Sequence, residues 1–151
     1  MKKITPFLWF DDQAEEALRF YVSVFKDSKI LEVTPGPGGK AFTVRADIDG
    51  QELIGLNAGP QFKFTEAISL FVDCEDQAEV DDLWAKLSAK GGEEGSCGWV
   101  KDRFGLWWQI VPRALAELMG DPDRAKAKRV SDAMLKMKKI DVAGLKRAHG
   151  G

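Results

Sequence analysis

An internal repeat constrains the architecture of this chain more than any other feature. Displaced by 64 positions against itself, the sequence aligns Asp12-Gln13-Ala14-Glu15 with Asp76-Gln77-Ala78-Glu79. The same displacement matches the apolar runs in front, Ile4 with Ile68, Thr5 with Ser69, Phe7 with Phe71 and Leu8 with Val72, and places Phe20 on Trp84 behind. Matched strands before the tetrapeptide and an aromatic after it predict a duplicated supersecondary unit.

Each copy reads as a strand, a helix and further strands. Ile4–Phe10 is an apolar strand ending at Asp11-Asp12, which predicts an N-cap for a helix with Glu15 and Glu16 in its first turn. Ala14, Ala17, Leu18, Tyr21, Val24 and Phe25 then recur at helical spacing. Strands are predicted over Lys29–Thr34, Ala41–Ile48 and Gln51–Asn57, the last two joined at Asp49-Gly50, a strong hairpin signal. In the second copy Ala67–Asp73 is the strand and Asp76 the helix cap. Val80, Leu83, Trp84 and Leu87 form the helix's buried face, and strands follow near Gly98–Lys101 and Leu106–Val111. The expected fold is α+β, two βαβββ modules (about 4–57 and 67–112, within 1–112) followed by a helical extension over 113–151. In that extension Asp121-Pro122 predicts a helix start, Asp as cap and Pro at the first position.

Composition removes several classes of function. With 44% hydrophobic residues, nine Phe and five Trp in 151 residues, the chain has ample apolar surface for a core and is expected to be globular rather than disordered. No apolar run approaches the ~18 residues of a membrane span, and Asp11-Asp12 arrives too early for a signal-peptide core. Cys74 and Cys97 have no metal or redox spacing and are expected to be buried and inert, which makes the cytoplasm the default location. The single histidine, His149, lies at the chain end, where fraying is expected, so mechanisms built on a histidine base or cage are disfavoured. Residues 121–151 carry nine Lys/Arg against four Asp, and residues 1–120 carry 13 basic against 20 acidic groups. A basic end of this kind can bind nucleic acid or an anionic membrane, but a solvated amphipathic helix docked on an acidic body is the preferred reading. No nucleic-acid or membrane partner is therefore expected.

Three stretches identify the relatives: Glu16-Ala17-Leu18-Arg19-Phe20-Tyr21, Ile68-Ser69-Leu70-Phe71-Val72, and the run from Gly98-Trp99-Val100-Lys101-Asp102-Arg103-Phe104-Gly105 through Leu106-Trp107-Trp108-Gln109-Ile110-Val111-Pro112. With the paired modules they resemble the vicinal oxygen chelate superfamily of glyoxalase I, bleomycin-resistance proteins and extradiol dioxygenases. Within it the chain is most similar to the PhnB-like group, also labelled 3-demethylubiquinone 3-methyltransferase-like. The resemblance spans roughly residues 4–112. It implies curved mixed sheets enclosing a concave cavity, often completed by homodimerisation.

Superfamily enzymes hold a divalent metal by side chains on the first and last strands of both modules. The resemblance lays those positions on Thr5, Gly55, Ala67 and Gln109. Gly and Ala carry no ligating side chain, and neutral Thr and Gln oxygens suit zinc or iron poorly, so no metal cofactor is expected. Strand alternation around those positions nominates Thr5, Phe7, Trp9, Asn57, Ser69, Phe71, Trp107 and Gln109 as lining an aromatic small-molecule pocket. A filled core is the competing reading for the aromatics.

The preferred function is binding of an unidentified small molecule. The alternative is a metal-dependent lyase, isomerase or dioxygenase with a rearranged site using Glu52, Asn57 or Gln109. Methyl transfer, which the family label suggests, is the weakest, since no strand–Gly-rich turn–helix unit for S-adenosylmethionine is present. Lys101-Asp102-Arg103 reads as an exposed charged turn, and Pro35–Gly39 as a linker, not a phosphate loop.

Overall fold

The computed structural model describes residues 1–151, which divide into two compact units, Met1–Phe64 and Thr65–Gly151. In the first, β1 (Phe7–Phe10), α1 (Ala14–Val24), β2 (Lys29–Pro35), β3 (Ala41–Ile48) and β4 (Gln51–Asn57) build a sheet of order β1-β4-β3-β2. In the second, β5 (Leu70–Cys74), α2 (Gln77–Ser88), the two-residue β6 (Glu93–Glu94), β7 (Trp99–Lys101) and β8 (Trp107–Pro112) build a sheet of order β5-β8-β7-β6. In each sheet the pair formed by the first strand, β1 with β4 and β5 with β8, is parallel and the rest are antiparallel. The identical strand order makes each unit one copy of the βαβββ repeat. The chain therefore has the expected α+β fold.

In the first unit α1 covers one face of the sheet. Leu8 and Phe10 of β1, Val44, Ala46 and Ile48 of β3 and Leu53 of β4 are buried with Ala14, Ala17, Leu18 and Tyr21 of the helix. Gly55 permits the closest approach: a Cβ there would lie 3.1 Å from the Ala14 Cβ and 3.4–3.5 Å from Phe10 and Leu18. The helix start departs from the sequence expectation. Neither Asp11 nor Asp12 caps it; Asp12 pairs instead with Lys40 at 3.2 Å. The Asn57 side chain serves as the cap from the neighbouring strand, its oxygen accepting from the Ala14 N–H (2.8 Å) and its amide donating to the Ala41 carbonyl (2.9 Å). Pro35–Gly39 forms a turn containing one short 3-10 segment, Pro37–Gly39.

In the second unit α2 is capped by Asp76, whose carboxylate accepts from the Glu79 N–H at 2.9 Å, as its sequence indicates. Trp84 is buried and donates its indole N–H to Glu94 at 2.7 Å. The turn at Lys101-Asp102-Arg103 is not an exposed charged turn at its centre, because Asp102 is only 1% exposed. Its Oδ1 accepts from the N–H groups of Phe104 (2.9 Å) and Leu106 (3.1 Å), and its Oδ2 from the Trp108 indole (2.9 Å). The charge can be buried because three donors surround it.

The C-terminal helices α3 (Arg113–Met119), α4 (Arg124–Met134) and α5 (Val142–Gly150) pack as part of this second unit. Val130, Ile140 and Leu145 bury Val111 of β8, with Leu115, Leu118, Met119, Met134 and Met137 around them. The Gln77 side chain ties α2 to this layer, donating to the Ile140 carbonyl (3.0 Å) and accepting from the Val142 N–H (2.7 Å). The N–H groups of Cys97 and Gly98 donate to the carbonyls of Met137 and Lys138, both at 2.8 Å. Gly98 has φ of 82°, and a Cβ there would sit 2.8 Å from Ile140, so glycine is required. The α4 start is two residues later than expected: Asp123 caps it, accepting from Ala125 and Lys126 N–H. Asp121 instead receives the Asp123 N–H and lies 2.7 Å from the His149 Nε2, so the chain end is docked rather than frayed.

Three consequences are measurable. Asn57→Ala should lower stability by about 1–2 kcal/mol through loss of the cap and orphaning of two backbone groups, read by urea denaturation. Asp102→Asn should cost about 2 kcal/mol, because one carboxylate oxygen becomes an NH2 facing the Trp108 N–H, and should shift tryptophan emission before global unfolding. The carboxyls of Asp81 and Asp121 are held below the ordinary 3.8, the first by Lys139 and then Gln77, the second by the Asp123 N–H and then His149. A depressed carboxylate stabilises the fold above the unfolded-state value and ceases to as the pH falls through its lower folded value. The Val142 amide resonance should accordingly hold its position at neutral pH and move only below about pH 4.

Candidate functional site

Alternation leaves each sheet with a second, helix-free face. In the first unit this face carries Phe7 and Trp9 of β1, Thr43, Arg45 and Asp47 of β3, and Glu52, Ile54 and Leu56 of β4, following from the pairings Phe7↔Ile54, Arg45↔Ile54 and Asp47↔Glu52. A groove of about 260 Å³ lies on it, lined by Met1, Phe7, Glu32, Thr34, Thr43, Arg45 and Ile54. Phe7, on the edge strand β1, is 57% exposed there, a large aromatic open to solvent.

Of the residues nominated from sequence in this unit, Phe7 alone lines the groove. The Thr5 hydroxyl turns back to the Lys2 carbonyl at 3.3 Å. Trp9 shares the face of Phe7, but its indole donates to the Gly59 carbonyl (2.8 Å) and the edge of Phe62 meets its ring at 4.9 Å. Asn57 faces α1 and spends its amide on the cap, which corrects its assignment to the pocket face. Gly55 faces the helix too, so the strand register places Ile54 and Leu56, not Gly55 and Asn57, on the open side. Glu32, Thr34, Thr43, Arg45 and Ile54 were missed. The β3 alternation of Val44, Ala46 and Ile48 against Thr43, Arg45 and Asp47 was the signal that could have found part of this set.

In the second unit the nominated residues share one face. The Gln109 amide donates to the Ser69 hydroxyl at 2.9 Å, Phe71 is paired with Gln109 across the strands and is 62% exposed, and Trp107 lies two residues along β8. Trp99, also paired with Gln109, stands edge-on to Trp107 with centroids 6.3 Å apart, and the Lys101 ammonium sits 5.8 Å above the Trp107 ring while pairing with Glu93 at 3.0 Å. Sequence reasoning overlooked Trp99 and Lys101 as members of this face. Trp108 and Ile110 point the other way and are buried, as alternation requires.

The donor chemistry does not suit the metal of the wider superfamily. Gly55 and Ala67 offer no side-chain donor, Thr5 and Gln109 offer only neutral oxygens, and no three His, Cys, Asp or Glu side chains converge anywhere in the chain. Nor do the turns suit S-adenosylmethionine bound as in a doubly wound sheet: Asp11-Asp12-Gln13 after β1 and Glu75-Asp76 after β5 contain no glycine. Cys74 is buried among apolar side chains, and burial together with Glu79 pushes its thiol up to about 12, so it stays protonated and is no nucleophile. Cys97 is half-buried and adopts a left-handed φ of 58° in the turn before β7. No helix is long and apolar enough to cross a membrane.

The family model of 3-demethylubiquinone-9 3-methyltransferase matches residues 2–111. Among solved structures, the PhnB protein of Bacillus cereus, which carries the same methyltransferase name, is 31% identical with a TM-score of 0.69, over 74% of this chain and 99% of that one. A protein of Pseudomonas aeruginosa is 20% identical (TM-score 0.63, 74% and 98% covered). A glyoxylase/bleomycin resistance protein/dioxygenase domain of Frankia is 13% identical (TM-score 0.51, 74% and 92% covered) and shares the fold. Among curated proteins there is no match to this chain. The matched span and the likeness to the Bacillus protein make this chain a member of the 3-demethylubiquinone-9 3-methyltransferase-like, or PhnB-like, family, on the vicinal oxygen chelate fold.

Proposed function

We propose that this protein binds a small molecule with an apolar body on the helix-free face of its sheet, without the divalent ion of the wider superfamily and without methyl transfer. The observation that carries the reading is the groove of about 260 Å³ in the first unit, where exposed Phe7 and Ile54 stand beside a few polar groups. Exposed aromatic surface next to fixed polar groups is the general character of a ligand site. The aromatic face of the second unit, with Phe71, Trp99 and Trp107, supports the same reading. The protein acts in the cytoplasm as a homodimer.

A second reading is an enzyme with a rearranged metal site. One observation favours it: Glu52 Oε2 is buried with no hydrogen-bond partner, which leaves a carboxylate oxygen free to coordinate a cation. Of the other groups considered for such a site, Asn57 has both ends of its amide engaged, and Gln109 donates its NH2 to Ser69.

Native mass spectrometry of the protein as purified, with no metal stripping, should find two chains per particle, an organic ligand and no stoichiometric metal. Phe7→Ala should weaken the recovered ligand by about tenfold. Stoichiometric zinc, manganese, nickel or iron, or saturable binding of S-adenosylmethionine in a calorimetric titration, would overturn the proposal.

A further inference from the structure

The polar end of the first unit's groove has an arrangement that narrows the class of ligand. Arg45 lies between Glu32, its direct partner on β2, and Glu52 on β4. Its Nη2 is 3.5 Å from one Glu32 oxygen and its Nη1 3.6 Å from Glu52 Oε2. A charge-assisted hydrogen bond of this kind is normally about 2.7–2.9 Å, so both pairs hold the guanidinium electrostatically without using its donors. Arg45 makes no other bond, although its side chain is only 28% exposed. The hydroxyls of Thr34 and Thr43, cross-strand partners, line the same groove and are likewise unspent. The guanidinium and both hydroxyls are open to solvent, so a ligand can take these donors without displacing a protein partner.

Charge decides which ligand. At this end of the groove Arg45 and the accessible carboxylate of Glu32 stand side by side, with Glu52 as the second counter-charge of the guanidinium. A lone carboxylate or phosphate would gain Arg45 but meet two glutamates; a lone ammonium would gain Glu32 but meet Arg45. A head group bearing an ammonium and a carboxylate on the same carbon satisfies both. Its carboxylate takes the planar fork of Arg45, its ammonium faces Glu32, and the threonine hydroxyls serve the remaining lone pairs. The walls beyond, Phe7, Ile54 and Met1, accept an apolar substituent. The volume, just below the range of sites for drug-sized ligands, suits a molecule of amino-acid size.

From this juxtaposition we propose that the groove binds the zwitterionic head of a small apolar α-amino acid. The proposal rests on the small-molecule reading above and specifies its ligand class. Isothermal titration of the full chain with L-phenylalanine, N-acetyl-L-phenylalanine and 2-phenylethylamine tests it. L-Phenylalanine should bind saturably and about tenfold or more tighter than either singly charged analogue. Arg45→Gln should abolish that binding, and Glu32→Gln should erase the preference over the N-acetyl compound. Thr34→Val, at an exposed strand position, should weaken binding several-fold and keeps the test valid should Arg45→Gln misfold. Equal binding of either analogue, no saturable binding of L-phenylalanine, or indifference to the Glu32 and Thr34 variants would overturn it. Failure here together with a different organic ligand recovered by native mass spectrometry, and lost in Phe7→Ala, would leave the broader reading standing.

Discussion

The spacing between α1 and β4 sets the form of the first unit. With no side chain at Gly55, Ala14 can come within van der Waals reach of the strand, and Asn57 reaches back from the same strand to cap the helix. One strand thus supplies both the close approach and the polar closure of the helix it supports. Because those two residues face the helix, alternation commits Glu52, Ile54 and Leu56 to the other side. The groove, its charged end and the exposure of Phe7 follow from that assignment of faces.

Much of this was legible in the sequence, and the exceptions have physical causes. Ala41–Ile48 and Gln51–Asn57 are observed with the bounds that the Asp49-Gly50 turn and the strand patterning imply. The first strand begins at Phe7 rather than Ile4, where Pro6 contributes only a carbonyl, accepting from the Ile54 N–H. The face of β4 was not legible, because Leu53-Ile54-Gly55-Leu56 is apolar on both parities and alternation has nothing to distinguish. The α1 cap was misread for a different reason: Asp11-Asp12 satisfies every local rule, but the group that wins lies 43 residues along the chain. Asp102 looked like surface charge because its three donors, two backbone N–H groups and an indole, are invisible until the turn closes around it.

The two copies share strand order but have diverged in what their free faces present. The first offers a guanidinium among carboxylates and hydroxyls beside a phenyl ring. The second offers two indoles edge to face, an ammonium over one of them, and a Gln109–Ser69 pair. Duplication preserved the backbone plan, since helix packing constrains one side of each sheet closely, while the other side was free to acquire different chemistry.

The positive charge concentrated after residue 120 takes on another character once the last helices are seen in place. All three arginines of that stretch are engaged: Arg124 with the carbonyls of Met119 and Asp121, Arg129 with those of Ala148 and His149, and Arg147 with Asp141. Lys128 and Lys139 are matched to Asp132 and Asp81. The groups with the best geometry for gripping a polyanion are thus employed as internal fasteners that close helix ends, while Lys139 ties the layer to α2. What reads in one dimension as a cationic arm is, in three, a folded layer whose guanidinium groups hold its own helices together.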